Sequence, residues 1–323
     1  MLNVAVIGLG NMGKHHVRTY SEINKVKLVA VCDEDEERGK EVAIKYGCKF
    51  FKDYNEMFEN EEIDLVSVVV PTKFHKDVAL NVIERGINIL IEKPIADTIE
   101  SANIIINKSK EKNIKLAIGH IERFNPAVKR LKEIINEGRL GQITSIIARR
   151  VGLFPPQIKD ANVVIDLAVH DIDIMNYLME MQPSEIEANA GKALINQRED
   201  HAEIFLKYKN ATGFIQVNWI TPIKIRTLSV TGTKGYAEMD YISQQLIMYE
   251  SNYKKDLETF GDVVMFSKPN KVEIGVENGE PLKLELLNVI DSIEQNREPL
   301  ITGEVGLEAL KIAMKVLGKI KKN

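Results

Sequence analysis

Short apolar segments alternate with amphipathic ones over the first 120 residues of the chain. Leu2–Ile7 is rich in β-branched residues, and residues 63–70 are apolar almost without interruption. Parallel strands that are covered by helices on both faces have this pattern. It predicts six strands separated by helices, at 2–7, 27–32, 49–51, 63–70, 87–91 and 114–118. We therefore expect an α/β fold with a doubly wound parallel sheet in a first domain of residues 1–120.

The pattern changes near Gly119, where the regular alternation of strands and helices ends. The later segments predict, in order, a helix over 126–136, a long strand over 142–151, a loop at Pro155 and Pro156, a helix over 163–179, strands with hairpin turns from 186 to 276, and helices over 284–296 and 305–322. This mixture is typical of an α+β domain with a large, mostly antiparallel sheet. We assign residues 121–323 to it, and its C-terminal helix could pack back on the first domain.

Composition and charge narrow the classes of function. The chain has 323 residues, of which 28% are charged, and a net charge of −4. We therefore expect no nucleic-acid partner and no membrane partner. The two cysteines belong to no C-x-x-C pair, and we see no signal peptide. A cytoplasmic enzyme without a metal fits these features.

A glycine-rich turn directly follows the first predicted strand. The segment reads Gly-Leu-Gly-Asn-Met-Gly and leads into a predicted helix. Its first glycine allows the tight turn, its second lets the backbone approach a pyrophosphate, and its third lets the helix pack close to the strand. The helix N-terminus offers unpaired N–H groups to phosphate oxygens. We expect the dinucleotide contacts to include Gly8, Gly10, Asn11, Met12 and Gly13.

An acidic segment after the second predicted strand bears on which dinucleotide binds. Asp33 lies about twenty residues beyond the glycine turn, where a carboxylate can accept hydrogen bonds from the adenosine ribose. Four more acidic residues follow at 34–37, and they would repel a 2′-phosphate. We place Arg38 in the same cofactor site, but a single arginine would not offset this repulsion. The sequence therefore predicts NAD rather than NADP.

A lysine stands at the carboxyl end of the fifth predicted strand, in the sequence Glu92-Lys93-Pro94. Ligands bind at this edge of an open α/β sheet. An ammonium group here could bond a substrate hydroxyl and stabilise negative charge on its oxygen. Because many strands end in a surface lysine, position alone leaves both interpretations open.

Asp166 and His170 are four residues apart on a predicted helix and share one face. A histidine can remove the proton of an alcohol, and a carboxylate one turn away can orient its ring. An ordinary surface pair would have the same spacing. A metal site of His170, Asp171 and Asp173 is poorly supported, since adjacent helical residues face different ways. His120 follows the sixth strand as a lining residue.

Together these segments resemble the Gfo/Idh/MocA family of NAD(P)-dependent oxidoreductases. The resemblance spans essentially the whole chain. It rests on the glycine turn, Val70-Pro71-Thr72 with His75, Glu92-Lys93-Pro94, GHIERFNPAV at 119–128 and Asp166-x-x-x-His170. It implies a Rossmann domain and a second α/β domain whose open sheet often forms the oligomer interface. We therefore expect a homo-oligomer, a dimer or a tetramer.

The family resemblance also implies roles for particular residues. Lys93 matches the catalytic lysine, and Asp166 and His170 match the D-x-x-x-H pair. We expect the two domains to form a cleft with Lys93 on one side and this pair on the other. The matching nicotinamide-side contacts are Pro71, Thr72, His75, Glu92 and Lys93.

Within the family, the segment ERFNPAV and residues 155–173 are most similar to the UDP-N-acetylglucosamine 3-dehydrogenase branch. Such enzymes oxidise the sugar 3-hydroxyl to a ketone. The expected substrate contacts are His120, Arg123, Asn125 and Arg149, although Arg149 and Arg150 could equally form an exposed strand face. Alternatives are a dehydrogenase for UDP-N-acetylglucosaminuronic acid, inositol or another sugar. A non-catalytic NAD-binding regulator would not need Lys93, Asp166 and His170 together.

Overall fold

The chain divides into two compact units in a computed structural model. Unit 1 comprises Met1–Ile121 and Glu280–Lys311, and unit 2 comprises Glu122–Gly279 and Ile312–Asn323. The first boundary lies near the predicted one, but the predicted second domain of 121–323 differs from unit 2 because a late segment belongs to unit 1. The structure describes residues 1–154, 161–251, 253–256, 263–266 and 268–320.

The first part of unit 1 is a six-stranded sheet with helices between its strands. Its elements are β1 (Leu2–Ile7), α1 (Asn11–Ser21), β2 (Val26–Cys32), α2 (Glu36–Tyr46), β3 (Lys49–Phe51), α3 (Tyr54–Asn60), β4 (Leu65–Val68), a 3₁₀ turn (Thr72–Phe74), α4 (His75–Glu84), β5 (Asn88–Glu92), α5 (Ile99–Glu111) and β6 (Leu116–Gly119). The strands are parallel in the order β3-β2-β1-β4-β5-β6. The predicted doubly wound sheet is confirmed. Helix α3 was missed because Met57 is its only buried side chain, so it has no apolar stripe.

Local capping explains where helix α2 begins and ends. The Asp35 side chain accepts the Arg38 N–H at 3.0 Å and makes Asp35 the N-cap, so the helix begins at Glu36. At the other end, Gly47 has a φ of +67°, a conformation that glycine adopts without strain. Helix α2 therefore carries Arg38 in its first turn.

Unit 2 is built around a larger sheet. Its elements are a 3₁₀ turn (Ile121–Phe124), α6 (Pro126–Asn136), β7 (Ile143–Leu153), a π-helical turn (Val164–Ala168), α7 (Val169–Met179), β8 (Glu185–Gly191), β9 (His201–Lys207), β10 (Thr212–Asn218), β11 (Ile220–Gly232), β12 (Gly235–Asp240), β13 (Leu246–Glu250), β14 (Tyr253–Asp256), β15 (Val263–Phe266) and β16 (Asn270–Ile274). Eight strands pair in the order β16-β13-β12-β11-β7-β10-β9-β8, and β14 pairs with β15 alone. Only β7 and β10 run parallel among the described pairs of the large sheet. The predicted, mostly antiparallel sheet is confirmed.

Helices α6 and α7 cover one face of the large sheet. Leu131 of α6 and Ile172 of α7 belong to the same buried cluster as Ala148, Ile204 and Ile215 of the strands. Along β7 buried and exposed residues largely alternate, as expected for a strand with one covered face. The helix that carries Asp171 and Asp173 is therefore fixed on the sheet by apolar packing.

Two helices close the chain, α8 (Pro281–Glu294) and α9 (Gly303–Ile320). Both lie within three residues of their predicted bounds. Leu282 and Leu286 of α8 are buried together with Leu90 and Ala117 of the parallel sheet. This packing is the reason that α8 belongs to unit 1.

Three remaining features are a predicted loop, the helices as possible membrane spans, and the two cysteines. The predicted loop at Pro155 and Pro156 is not within the described residues. None of the helices in the described part of the chain has the length and apolar character needed to cross a membrane. Cys32 and Cys48 are free thiols.

Candidate active site

The glycine turn of unit 1 has the geometry of a phosphate-binding turn. Gly8 has a φ of +93°, and a Cβ on Gly13 would lie 1.9 Å from the Gly8 carbonyl oxygen. A Cβ on Gly10, by contrast, would meet no described atom within 4 Å beyond its chain neighbours. Gly10 is also the N-cap of α1 and makes no side-chain cap bond. Helix α1 begins at Asn11 and thus presents N–H groups that fit a dinucleotide pyrophosphate.

The Asp33 carboxylate lies beside this turn. It is 8% exposed and accepts the Leu9 N–H at 2.6 Å. Its other oxygen accepts from the Asp35 N–H at 2.8 Å and from Arg38 Nη2 at 2.6 Å. The hydrogen bond that Arg38 donates to Asp33 raises the pKa of Arg38. A carboxylate held in this way can accept the two ribose hydroxyls of NAD.

His75 holds together two segments that were predicted to contact nicotinamide. Its Nδ1 lies 3.0 Å from the Pro94 carbonyl oxygen and its Nε2 2.9 Å from the Val70 carbonyl oxygen. The ring is 1% exposed, and burial lowers its pKa. His75 therefore braces the ends of β4 and β5, whereas Pro71 is exposed and Thr72 half-buried.

Glu92 and Lys93 differ in environment although they are adjacent. The Glu92 carboxyl group is directed into unit 1, with Oε1 3.1 Å from His16 Nε2 and Oε2 accepting the Lys93 N–H at 3.1 Å. A role for Glu92 as a direct nicotinamide contact is therefore not supported. Lys93 is half-buried, and its peptide bond to Pro94 is cis. Lys93 remains the candidate for contact with a substrate oxygen.

In unit 2, the predicted helix that carries the Asp–His pair contains a π-helical turn, Val164–Ala168, before α7 begins. Asp166 lies in this turn and His170 in the first turn of α7, and both are half-buried. Asp166 Oδ2 accepts a hydrogen bond from Trp219 Nε1 at 3.3 Å. Single π turns inside helices are frequent at functional sites. The periodicity of the sequence carries no signal for this turn.

A buried arginine ties α7 to strand β7. Arg150 is 4% exposed, and its Nε donates to Asp171 at 2.9 Å while its Nη1 donates to Glu122 at 2.8 Å. Burial opposes the guanidinium charge, but Asp171 and Glu122 outweigh it and raise the pKa of Arg150. The network fixes the helix turn that carries His170.

A second arginine makes the same type of bond two residues further along α7. Arg123 donates to Asp173 through Nε at 2.8 Å and through Nη2 at 2.7 Å, and it lies over the Tyr177 ring. Both aspartates that were considered as metal ligands with His170 are thus paired with arginines. Arg123, predicted to contact substrate, is engaged in holding α7.

The other three predicted substrate residues differ in their burial and in their hydrogen-bond partners. Asn125 is buried as the N-cap of α6, where it accepts the Ala127 N–H at 3.1 Å. His120 is buried at the end of β6. Arg149 is exposed and donates to Gln216 at 3.1 Å, on the sheet face opposite to Arg150 and α7.

Two cationic residues near Asp166 were missed by sequence reasoning. Arg198 lies over the rings of Phe154 and Trp219, at 5.4 and 5.5 Å from their centroids. Arg226 of β11 is half-buried. Burial and the charge of Arg150 lower its pKa, while acidic neighbours that include Asp166 oppose that shift. No local motif marks either residue, because a loop and a strand bring them to Trp219 and Asp166 only after folding.

The fold and these groups define an oxidoreductase with an NAD-binding domain. Residues 2–120 match the model of the oxidoreductase family with an NAD-binding Rossmann fold, and residues 128–238 match the GFO/IDH/MocA C-terminal domain. The chain therefore belongs to the GFO/IDH/MocA family, as the sequence motifs predict, and its cofactor is NAD.

Individual relatives align over almost the full length. The chain is 28% identical over 316 residues to UDP-N-acetylglucosamine 3-dehydrogenase of Acidithiobacillus ferrooxidans, covering 98% of this chain and 96% of that protein. The solved structure of that enzyme, GnnA, has a TM-score of 0.87 at 25% identity and covers 99% of this chain and 98% of its own. Myo-inositol 2-dehydrogenase of Thermotoga maritima is 25% identical over 320 residues, covering 88% and 93%.

Proposed function

We propose that this protein is an NAD-dependent dehydrogenase that oxidises the 3-hydroxyl of a UDP-N-acetylhexosamine, with UDP-N-acetylglucosamine as the first candidate, to the 3-keto sugar nucleotide. The observation that carries the proposal is the Asp166 carboxylate, four residues before His170. It accepts a hydrogen bond from Trp219, whose ring lies under Arg198, and its charge acts on Arg226. Together these residues provide a histidine that can act as a base and arginines that can bind an anionic substrate.

The chemistry divides between three side chains. His170 removes the hydroxyl proton, and Lys93 donates a hydrogen bond to the same oxygen as negative charge grows there. Asp166 orients His170. NAD, when bound, would supply the acceptor for the hydride that leaves the carbon carrying this oxygen. The carbon–oxygen bond becomes a carbonyl, and the proton remains on His170 until it passes to solvent.

The cations favour a sugar nucleotide over a neutral sugar. A diphosphate carries negative charge that a planar guanidinium can bind through two oxygens at once. Arg198 and Arg226 are the candidates, in place of Arg149. An inositol dehydrogenase is the second candidate, supported by the relative from Thermotoga maritima. Inositol is uncharged and offers no phosphate oxygens to a guanidinium group.

The substrate test is a panel assayed by NADH formation. We expect turnover with UDP-N-acetylglucosamine to exceed that with UDP-N-acetylglucosaminuronic acid, free N-acetylglucosamine and inositols. A carbonyl-trapping agent or a partner transaminase removes the ketone, since alcohol oxidation by NAD is unfavourable at neutral pH. Higher turnover with an inositol would replace the proposed substrate. NAD binding without turnover of any alcohol would favour a regulator.

Variants test the assigned roles. We expect His170→Ala to lower kcat by about a hundredfold or more, because a positioned base contributes that much. NADH affinity, measured by fluorescence, should stay within about twofold because the imidazole acts on substrate. Lys93→Ala should also lower kcat, and Asp166→Asn should have a milder effect. The exposed His15 provides a control through His15→Ala. Near-normal turnover in both His170→Ala and Lys93→Ala would refute these roles.

A further inference from the structure

Five polar side chains are buried together inside unit 1, and we call them the buried polar cluster. Its members are His16 and Tyr20 of α1, Ser67 of β4, Glu92 of β5 and Glu285 of α8. All five are less than 10% exposed. Burying polar groups in an apolar layer is unfavourable unless they are hydrogen-bonded. The dinucleotide contacts assigned above do not account for this cluster.

Hydrogen bonds run through the cluster from α1 to the main chain of Lys93. Ser67 Oγ lies 2.8 Å from the Tyr20 hydroxyl and 3.2 Å from His16 Nδ1. His16 Nε2 in turn lies 3.1 Å from Glu92 Oε1, and Glu92 Oε2 accepts the Lys93 N–H at 3.1 Å. A Cβ on Gly119 would lie only 3.1 Å from the Glu92 carboxyl group. Glu92 is therefore held on several sides and in turn holds Lys93.

Glu285 stands apart within this cluster. It is 1% exposed, and neither of its carboxyl oxygens has a hydrogen-bond donor among the described residues. An ionised carboxylate in such surroundings would cost several kcal/mol, so the neutral acid is favoured. Burial raises the pKa of Glu285 well above its usual range, and the charge of Glu92 adds to the effect.

The pKa of Glu92 is shifted in the opposite direction. Burial opposes its charge, but the hydrogen bond to His16 and the charges of His16 and Lys93 outweigh burial and lower its pKa. Of the remaining members of the cluster, Ser67 does not titrate and burial raises the pKa of Tyr20, so both of these side chains are neutral. The pair thus carries one negative charge, and that charge lies on Glu92.

We propose that Glu285 is a positioning residue for Lys93: as a neutral acid it leaves the single negative charge on Glu92, whose carboxylate holds the Lys93 main chain. This inference rests on the proposed function, in which Lys93 contacts the substrate oxygen. Ionisation of Glu285 at alkaline pH would put two negatively charged carboxylates into the buried polar cluster, where the charge of each acts on the other. Their repulsion would displace Glu92 from the Lys93 N–H, and turnover would fall.

The kinetic test is the pH profile of kcat for Glu285→Gln, which keeps the shape of the acid and cannot ionise. We expect the alkaline decline of the wild type to move up by about one pH unit or more in the variant. The KM for NAD should change by less than about twofold. Glu308→Gln, the same change at an exposed position of α9, should reproduce the wild-type profile. A Glu285→Gln profile that superimposes on the wild type would overturn the proposal.

A second measurement does not depend on substrate. A carboxyl group whose pKa is raised on folding contributes stability below its unfolded pKa, and that contribution is lost as pH rises toward the folded value. The urea midpoint of Glu285→Gln should therefore rise relative to the wild type between about pH 5 and pH 8. A constant difference would show that Glu285 is not the neutral acid.

The kcat profile and the urea midpoints together distinguish failure of this inference from failure of the proposed function. If the wild type oxidises no UDP-sugar but the urea midpoints diverge with pH, the proposed substrate is wrong and the neutral state of Glu285 stands. If turnover depends on Lys93 but neither the kcat profile nor the midpoints respond to Glu285→Gln, the inference is wrong and the proposed function stands.

Discussion

Asp33 shows how one side chain can select the cofactor. Its carboxylate is nearly buried, bonded to the glycine turn through Leu9 and paired with Arg38. A 2′-phosphate would have to compete with this carboxylate for Arg38 and would also meet its negative charge. The preference for NAD therefore depends on an acid that the fold holds in place.

We expect the wild type to bind NADH more tightly than NADPH, and Asp33→Ser to reduce that preference. Losing a charged hydrogen-bond acceptor costs about 1.5–3 kcal/mol, so the ratio of the two dissociation constants should change about tenfold or more. Fluorescence titration of both cofactors measures this ratio. Glu59→Ser, at an exposed acid of α3, is the control and should leave the ratio unchanged. Equal or tighter NADPH binding by the wild type would contradict the argument.

At the scale of single elements, strand β7 gives two adjacent arginines opposite environments. Arg150 lies on the covered face and bonds to Asp171 and Glu122, whereas Arg149 lies on the exposed face and bonds to Gln216. The family resemblance indicated Arg149 as a substrate contact and left an exposed strand face open as the alternative. The register of the strand instead assigns the structural ion network to Arg150.

Replacing each arginine by methionine should separate these environments. Arg150→Met leaves Asp171 buried without its partner, and the free energy of unfolding should fall by about 3–5 kcal/mol. Arg149→Met removes an exposed hydrogen bond and should change it by less than about 0.5 kcal/mol. Urea unfolding of the two variants and the wild type checks this difference. Similar losses in both would mean that the Arg150 network does not stabilise unit 2.

The π-helical turn is the second feature that belongs to an element rather than to a residue. Asp166 and His170 were expected four apart on a regular α-helix, but the turn Val164–Ala168 winds more loosely than an α-helix. Asp166 and His170 are still four residues apart in sequence. The orientation of the Asp166 side chain, however, is set by the π turn and by the hydrogen bond from Trp219.

At the scale of the whole molecule, the uncovered face of the large sheet has a row of apolar side chains. Ile147, Phe214 and Phe205 are cross-strand neighbours on β7, β10 and β9, and Ile147 and Phe205 are 46% and 52% exposed. The rings of Phe205 and Phe214 lie 4.9 Å apart. Exposed apolar patches of this kind mark interaction surfaces, and the family resemblance indicates a second copy of the chain.

We expect this face to form the homo-oligomer interface. A charge in the middle of an apolar contact is unfavourable, so Phe205→Glu should shift the protein toward monomer. Sedimentation equilibrium measures the mass of each variant. Ile223→Glu changes another exposed apolar residue outside this row and is the matched control. An unchanged oligomer in Phe205→Glu, or a monomeric wild type, would count against this interface.

Much of the fold was accessible from the sequence because its signals are local. The six parallel strands follow from continuous apolar runs, and the turn after β1 follows from glycines that a Cβ would disrupt. Helix α3 was missed because it buries too little apolar surface to produce a periodic pattern. The predicted extent of the second domain differed because α8 packs on unit 1, a long-range contact that no local segment records.

The sequence by itself determined the family, the cofactor and the candidate chemical groups, since motif order and residue type suffice for these. Only the tertiary structure decided what each charged group contacts. It buried Glu92 against His16, paired Arg123 with Asp173, separated Arg149 from Arg150, and brought Arg198 to Trp219 beside Asp166. The physical reason is that a charge can be buried only where a partner from a distant segment offsets its lost solvation, and such partners meet only in the folded chain.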